Sequence, residues 1–210
     1  MDLTAATIAV PWRLEAPALG PLVLDVPQLS DAKRLHAIQR VSHWWWHHRR
    51  LPPRAGNYIA SVADARQRIN QLRNDAATGA CLSRGVWLQG NLVGLLEIIT
   101  FPRDPMAVLG FLWSPYAGYV YLKAAGKFMV DLAFELGYKR VEFTCYERDR
   151  LAKRFAAAIG MGFECVKEGL YTHGVLRSGR QVRSAAQMWA RALPSDVREV
   201  VDAPVADQYL

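Results

Sequence analysis

Apolar residues along this chain fall into two rhythms, alternation over short runs and a return every three or four positions over longer ones. Leu22 to Val26 alternates as a short strand, and Ser30-Asp31 then caps a helix whose apolar positions Leu35, Ile38 and Val41 keep helical spacing. A second helix is predicted from about Ser61 to Ala77, with an acidic start at Ser61 and Asp64 and a closing Gly79. Two strands follow, Gly85 to Gln89 and Leu92 to Thr100, around a two-residue Gly90-Asn91 turn. Beyond the proline-bounded loop Phe101 to Pro105, Val108 to Trp113 is another apolar strand, in which Gly110 marks a candidate bulge.

Ser114 to Gly118 reads as a turn into a long helix that ends near Leu136-Gly137, with Leu122, Ala125, Phe128, Met129, Leu132 and Ala133 on its buried face. Lys139 to Cys145 is a strand, Asp149 caps a helix through Ile159, and Glu164 to Tyr171 and Arg183 to Ala192 are the last strands. The order is strand, two helices, three strands, helix, strand, helix, two strands. A helix between neighbouring parallel strands requires a crossover, so the expected class is α/β with a mixed sheet and helices on both faces. No internal repeat interrupts it.

Composition bounds the partners. Apolar residues make up 51% of the 210, enough for a sizeable core, yet the longest apolar runs are strand-length and too short to span a bilayer. Residues 1–20 lack the sustained apolar run of a secretory signal. Cys81, Cys145 and Cys165 are too few and scattered for a disulfide framework or a zinc site, so no metal is expected. Cys145 and Cys165 lie in apolar runs and read as buried thiols of a reduced, cytoplasmic compartment. The net charge is +7, although residues 194–210 set four acids against Arg198 alone. The division is thus a basic domain over 1–193 and an acidic tail, and the basic body suits an anionic partner such as a polyphosphate cofactor.

Several phrases carry a family resemblance in their order and spacing. They are Leu92-Val93-Gly94-Leu95-Leu96-Glu97, then Asp131 to Glu142 (DLAFELGYKRVE), then Asp149-x-x-Ala152 with Ile159-Gly160-Met161, and finally Glu168-Gly169, His173, Gly179 and the strand to Trp189. Together, over roughly residues 20 to 192, they resemble the GNAT superfamily of N-acetyltransferases and its ribosomal-protein N-terminal acetyltransferase branch. That resemblance implies the GNAT acyl-CoA N-acyltransferase fold, a central twisted mixed sheet. It also implies acetyl-CoA as cofactor and acetyl transfer to an amine of a protein or small molecule. The splayed strands would be Val108–Trp113 and Val141–Cys145, with pantetheine between them and pyrophosphate on backbone N–H groups at the start of the next helix.

Mapped residue by residue, the resemblance puts the cofactor at Trp113, Gly118, Tyr119, Val120, Tyr121, Lys123 and Asp149, with Lys127 as a further cation. Gly118 takes the first glycine position of the phosphate loop. Pro115 stands where the family has Arg or Gln, and Val120 where it has a second small residue, a β-branched side chain poorly suited to a tight loop. Ala152 and Ala156 occupy the places of the family's acidic hydroxyl, which leaves Tyr146 as candidate acid. Glu97 is the candidate base, since burial in an apolar strand raises a carboxyl pKa; the competing reading turns it to solvent or pairs it with an arginine. Glu142 is a weaker candidate of the same kind.

His43 to Arg50 (HWWWHHRR) offers three tryptophans, three histidines and two arginines in eight residues. It reads as core plus a protein interface, Trp and Arg being typical anchors, and with the two termini it suggests an assembly. Nucleic acid is the weakest partner, resting on charge and this cluster alone. The alternative to an enzyme is an inactive GNAT-fold structural or interaction protein, for example a component of a bacteriophage particle.

Overall fold

The computed structural model describes residues 11–16, 20–41, 59–79, 81–100, 105–147, 149–175 and 181–193. The His43–Arg54 segment and the acidic 194–210 stretch therefore lie outside the described residues. Eight strands form one sheet, β1 (Trp12–Ala16), β2 (Gly20–Asp25), β3 (Cys81–Leu88), β4 (Asn91–Thr100), β5 (Met106–Trp113), β6 (Arg140–Tyr146), β7 (Gly162–Val175) and β8 (Gln181–Ala192). Their spatial order is β1-β2-β3-β4-β5-β6-β8-β7. Every neighbouring pair is antiparallel except β5 and β6, which the long helix joins.

Helices α1 (Ala32–Val41), α2 (Val62–Ala77), α3 (Tyr119–Glu135) and α4 (Arg150–Ala158) divide between the two faces. Leu35, Ile38, Ile69 and Leu72 of α1 and α2 bury against Leu92 and Leu95 of β4. Leu122, Met129 and Ala133 of α3 and Phe155 of α4 bury against Leu96, Ile98, Leu109 and Phe143 on the opposite face. This is the expected mixed α/β sheet with helices on both sides.

Local chemistry explains most boundaries. Ser61 accepts a hydrogen bond from Asp64 N–H at 3.1 Å while the Asp64 carboxylate accepts from Ser61 N–H at 2.9 Å, a reciprocal cap that fixes the start of α2. Asp149 Oδ1 accepts from Ala152 N–H at 3.0 Å and starts α4. The first helix departs from expectation. Ser30 and Asp31 lie inside a 3-10 turn, Leu29–Asp31, and the Asp31 carboxylate instead reaches back to Gln28 N–H at 2.7 Å.

Four other expectations are corrected. The β3–β4 turn is Gln89-Gly90, with φ of 50° and 76°, and Asn91 already pairs with Leu88. A two-residue turn with positive φ at both positions favours glycine second, which shifts the turn one residue upstream. Gly110 makes no bulge, because the β4–β5 ladder runs unbroken from Gly94↔Trp113 to Thr100↔Ala107. The irregularity falls instead between Val86 and Trp87 of β3. Cys165 is exposed, since β7 is the edge of the sheet, whereas Cys81 and Cys145 are buried. Phe128 is half-buried at the rim of α3, its ring 5.6 Å from that of Trp12 on β1, a strand the pattern did not predict.

Candidate functional site

The parallel pair is short. Met106↔Arg140, Ala107↔Val141 and Val108↔Glu142 are its only rungs, after which β5 continues to Trp113 and β6 to Tyr146 without pairing. A wedge therefore opens toward the C-terminal ends of both strands. On the α3 face its floor is aromatic: Phe111 and Phe143 stack at 5.8 Å and 17°, and Phe155 of α4 meets both edge-on at 4.8 and 5.6 Å.

The start of α3 faces the mouth of that wedge in sequence order, five residues after Trp113. Pro115–Ala117 form a 3-10 turn and Gly118 is the N-cap at φ 77°, ψ 138°, a conformation that glycine alone adopts cheaply. Among the described residues no side chain caps α3, whereas Ser61 caps α2 and Asp149 caps α4, and the first turn of α3 lacks the acid that Asp64 gives α2. The first-turn amides of this 17-residue helix lie at the positive end of its dipole, where an anion is favoured.

The flanking side chains take different places from those expected of a loop. Val120 is the second residue of the helix, 46% exposed, so its branched side chain strains no turn. Tyr119 leans away from the mouth, its hydroxyl donating to the Arg154 carbonyl at 2.7 Å with the Arg154 guanidinium 5.2 Å from the ring centre. Burial raises the Tyr119 pKa and Arg154 opposes that rise. Tyr121 is half-buried beside Gly118, and Lys123 is exposed one turn into α3. Lys127 is paired with Asp131 at 2.7 Å, more than two turns from the helix start. Trp113 turns its indole into the core, where it lies so closely on Gly94 that a Cβ there would come within 2.2 Å. It can serve the wedge only through its backbone. Asp149 is occupied in capping α4.

On the face of α1 and α2 the register assembles a second group. Glu97 is opposite Gly110, Val108 is opposite Glu142, and strand alternation adds Thr144 and Tyr146 to the same face. Candidate base and candidate acid thus flank the wedge on one side of the sheet. Glu97 is also ion-paired: Arg68 Nη2 of α2 donates to its Oε1 at 2.5 Å, with side chains 16% and 13% exposed. Desolvation raises the Glu97 pKa and Arg68 pulls it back. Burial and an arginine partner, drawn from the two competing sequence readings, therefore coincide at Glu97. Glu142 is tied to Arg140 Nε at 2.9 Å.

Ala152 and Ala156 are buried at 3% and 0% exposure, so α4 presents no hydroxyl where the resemblance placed one. Sequence reasoning missed Arg68 and Phe155. Phe155 continues the apolar row of α4 and was legible there; Arg68 is one of many arginines and nothing local singles it out. Among the described residues, no three His, Cys, Asp or Glu side chains are grouped to hold a metal, and no helix is long and apolar enough to cross a membrane.

A mixed sheet whose parallel strands part before an uncapped helix is the fold of the GNAT acetyltransferases. Mycobacterium smegmatis RimJ, solved with CoA-disulfide, superposes with a TM-score of 0.70 at 19% identity, over 88% of either chain. RimL, the ribosomal L7/L12 α-N-protein acetyltransferase, solved with coenzyme A, gives 0.69 at 14% identity over 88% of this chain and all (100%) of that one. The microcin C7 self-immunity acetyltransferase MccE, solved with acetyl-CoA and AMP, gives 0.69 at 14% over 85% and 98%. No protein-family model matches the sequence, and no curated protein matches it either.

Proposed function

We propose that the chain is an acyl-CoA-dependent N-acyltransferase that moves an acetyl group to an amine of a protein or small molecule. The observation that carries this reading is the uncapped start of α3 behind Gly118, set at the mouth of a wedge that opens after three parallel rungs. Solved neighbours bound to acetyl-CoA or CoA support the cofactor, and the ribosomal L7/L12 substrate of RimL supports a protein amine as acceptor.

Acetyl-CoA supplies a thioester, an acyl group already activated toward amines. The amides of Tyr119, Val120 and Tyr121 hold its pyrophosphate, with Lys123 adding positive charge. The backbone edges of β5 beyond Val108, including Trp113, bind the pantetheine amides that a neighbouring strand would otherwise meet. Glu97 accepts the proton of the acceptor ammonium, so that a neutral amine attacks. The Tyr146 hydroxyl donates a proton to the departing thiolate, and Asp149, by capping α4, fixes the turn that follows Tyr146.

The inactive-scaffold alternative draws on Ala152 and Ala156, which leave α4 without an acid. Isothermal titration separates the two. The enzyme requires acetyl-CoA binding with a dissociation constant on the order of micromolar, about −8 kcal/mol, weakening with salt. Absence of heat at millimolar ligand removes the enzyme reading.

A further inference from the structure

Resting on the reading of Glu97 as base, we propose that Arg68 is the positioning residue that holds one carboxylate oxygen of Glu97 and thereby aims the other, past Gly110, at the amine entering the wedge. Arg68 engages Oε1 alone. Among the described residues nothing bonds Oε2. On the wedge side of Glu97 stands Gly110, where an added Cβ would, among the described residues, meet only Glu97, 3.9 Å from both its Cβ and Oε2. A side chain at 110 would fill the space between that oxygen and β6; glycine leaves it open. The carboxylate thus has one oxygen fixed by a guanidinium and one turned toward the gap in the sheet, the arrangement that receives an ammonium and takes its proton.

The charges around Glu97 can be named from each packed element. Arg68 and Asp75 come from α2 and Cys81 from β3, where its thiol and Ser83 Oγ lie 3.2 Å apart; Gly110 of β5 brings none. Asp75 and burial favour the protonated form, and Arg68 alone opposes them. Removing Arg68 leaves only influences that favour the protonated carboxyl.

The test needs no knowledge of the acceptor. Glutamate-labelled protein, with the Glu97 signal assigned through Glu97→Gln, is titrated by carbon NMR as wild type, Arg68→Met and Arg68→Lys. Arg68→Met should raise the Glu97 midpoint by about one pH unit or more, a tenfold change in ionisation ratio, and Arg68→Lys should recover much of it. An unchanged midpoint in folded Arg68→Met overturns the proposal. Gly110→Ala, with its fold checked by circular dichroism, should cut acetyl transfer to a primary-amine peptide by about tenfold. Wild-type transfer by Gly110→Ala would equally overturn it. Failure of the reading on which it rests would show elsewhere, as wild-type protein that binds no acetyl-CoA.

Discussion

Replacing Gly126 by alanine tests the packing that holds the wedge open, because propensity and packing demand opposite signs there. Gly126 sits inside α3, where alanine ordinarily gains about 1 kcal/mol over glycine. Here an added Cβ would fall 2.4 Å from Phe155 Cε2 and 2.5 Å from its Cζ. The ring has no room to retreat: Phe155 is 0% exposed and meets Phe111 and Phe143 edge-on. Overpacking of this kind costs about 1–3 kcal/mol, so Gly126→Ala should lose about 1 kcal/mol net, a fall of about 2–4 °C in Tm. Urea unfolding followed by circular dichroism and tryptophan fluorescence, with an unchanged slope, measures it. Phe155→Leu should rescue the alanine, giving a coupling of about 1–3 kcal/mol in the double-mutant cycle. A single variant more stable than wild type, with no coupling to Phe155, would refute the argument.

Val120→Gly should not tighten acetyl-CoA binding, because Val120 is helical and exposed; it should cost about 0.3–0.5 kcal/mol of helix propensity, and a rise in affinity by titration would contradict this. Of the three thiols, exposed Cys165 should react rapidly with a disulfide reagent at pH 8, while Cys81 and Cys145, each pushed by burial to about 12, should wait for unfolding. Equal rates for all three would contradict the burial pattern. Because the folded Glu97 pKa is raised, its contribution is greatest at low pH and is lost as pH rises from the ordinary 4.5 through the folded value. The Tm of wild type relative to Glu97→Gln should fall over that window, and a rising difference would reverse the sign.

Sequence by itself determined what depends on near neighbours. The cap at Ser61–Asp64, the Asp149 start of α4, the apolar row of α3, the continuous apolar run of β4 and the alternation of β6 were all legible, since a helix or strand is specified within a few residues. The turn Ser114–Gly118 into α3 was legible for the same reason, and the family resemblance singled out Gly118 within it, while its strained N-cap conformation came only from the structure. Where the local signal was thin the pattern failed: Trp12–Ala16 offers only Trp12 and Leu14 between prolines, and becomes a strand by pairing with β2. Only the tertiary structure decided that β5 and β6 part after Val108, that Arg68 finds Glu97 across 29 positions of sequence, and that Phe155 fills the space Gly126 leaves. Those are facts about which distant surfaces meet, and the period of a strand or helix carries no information about its partner.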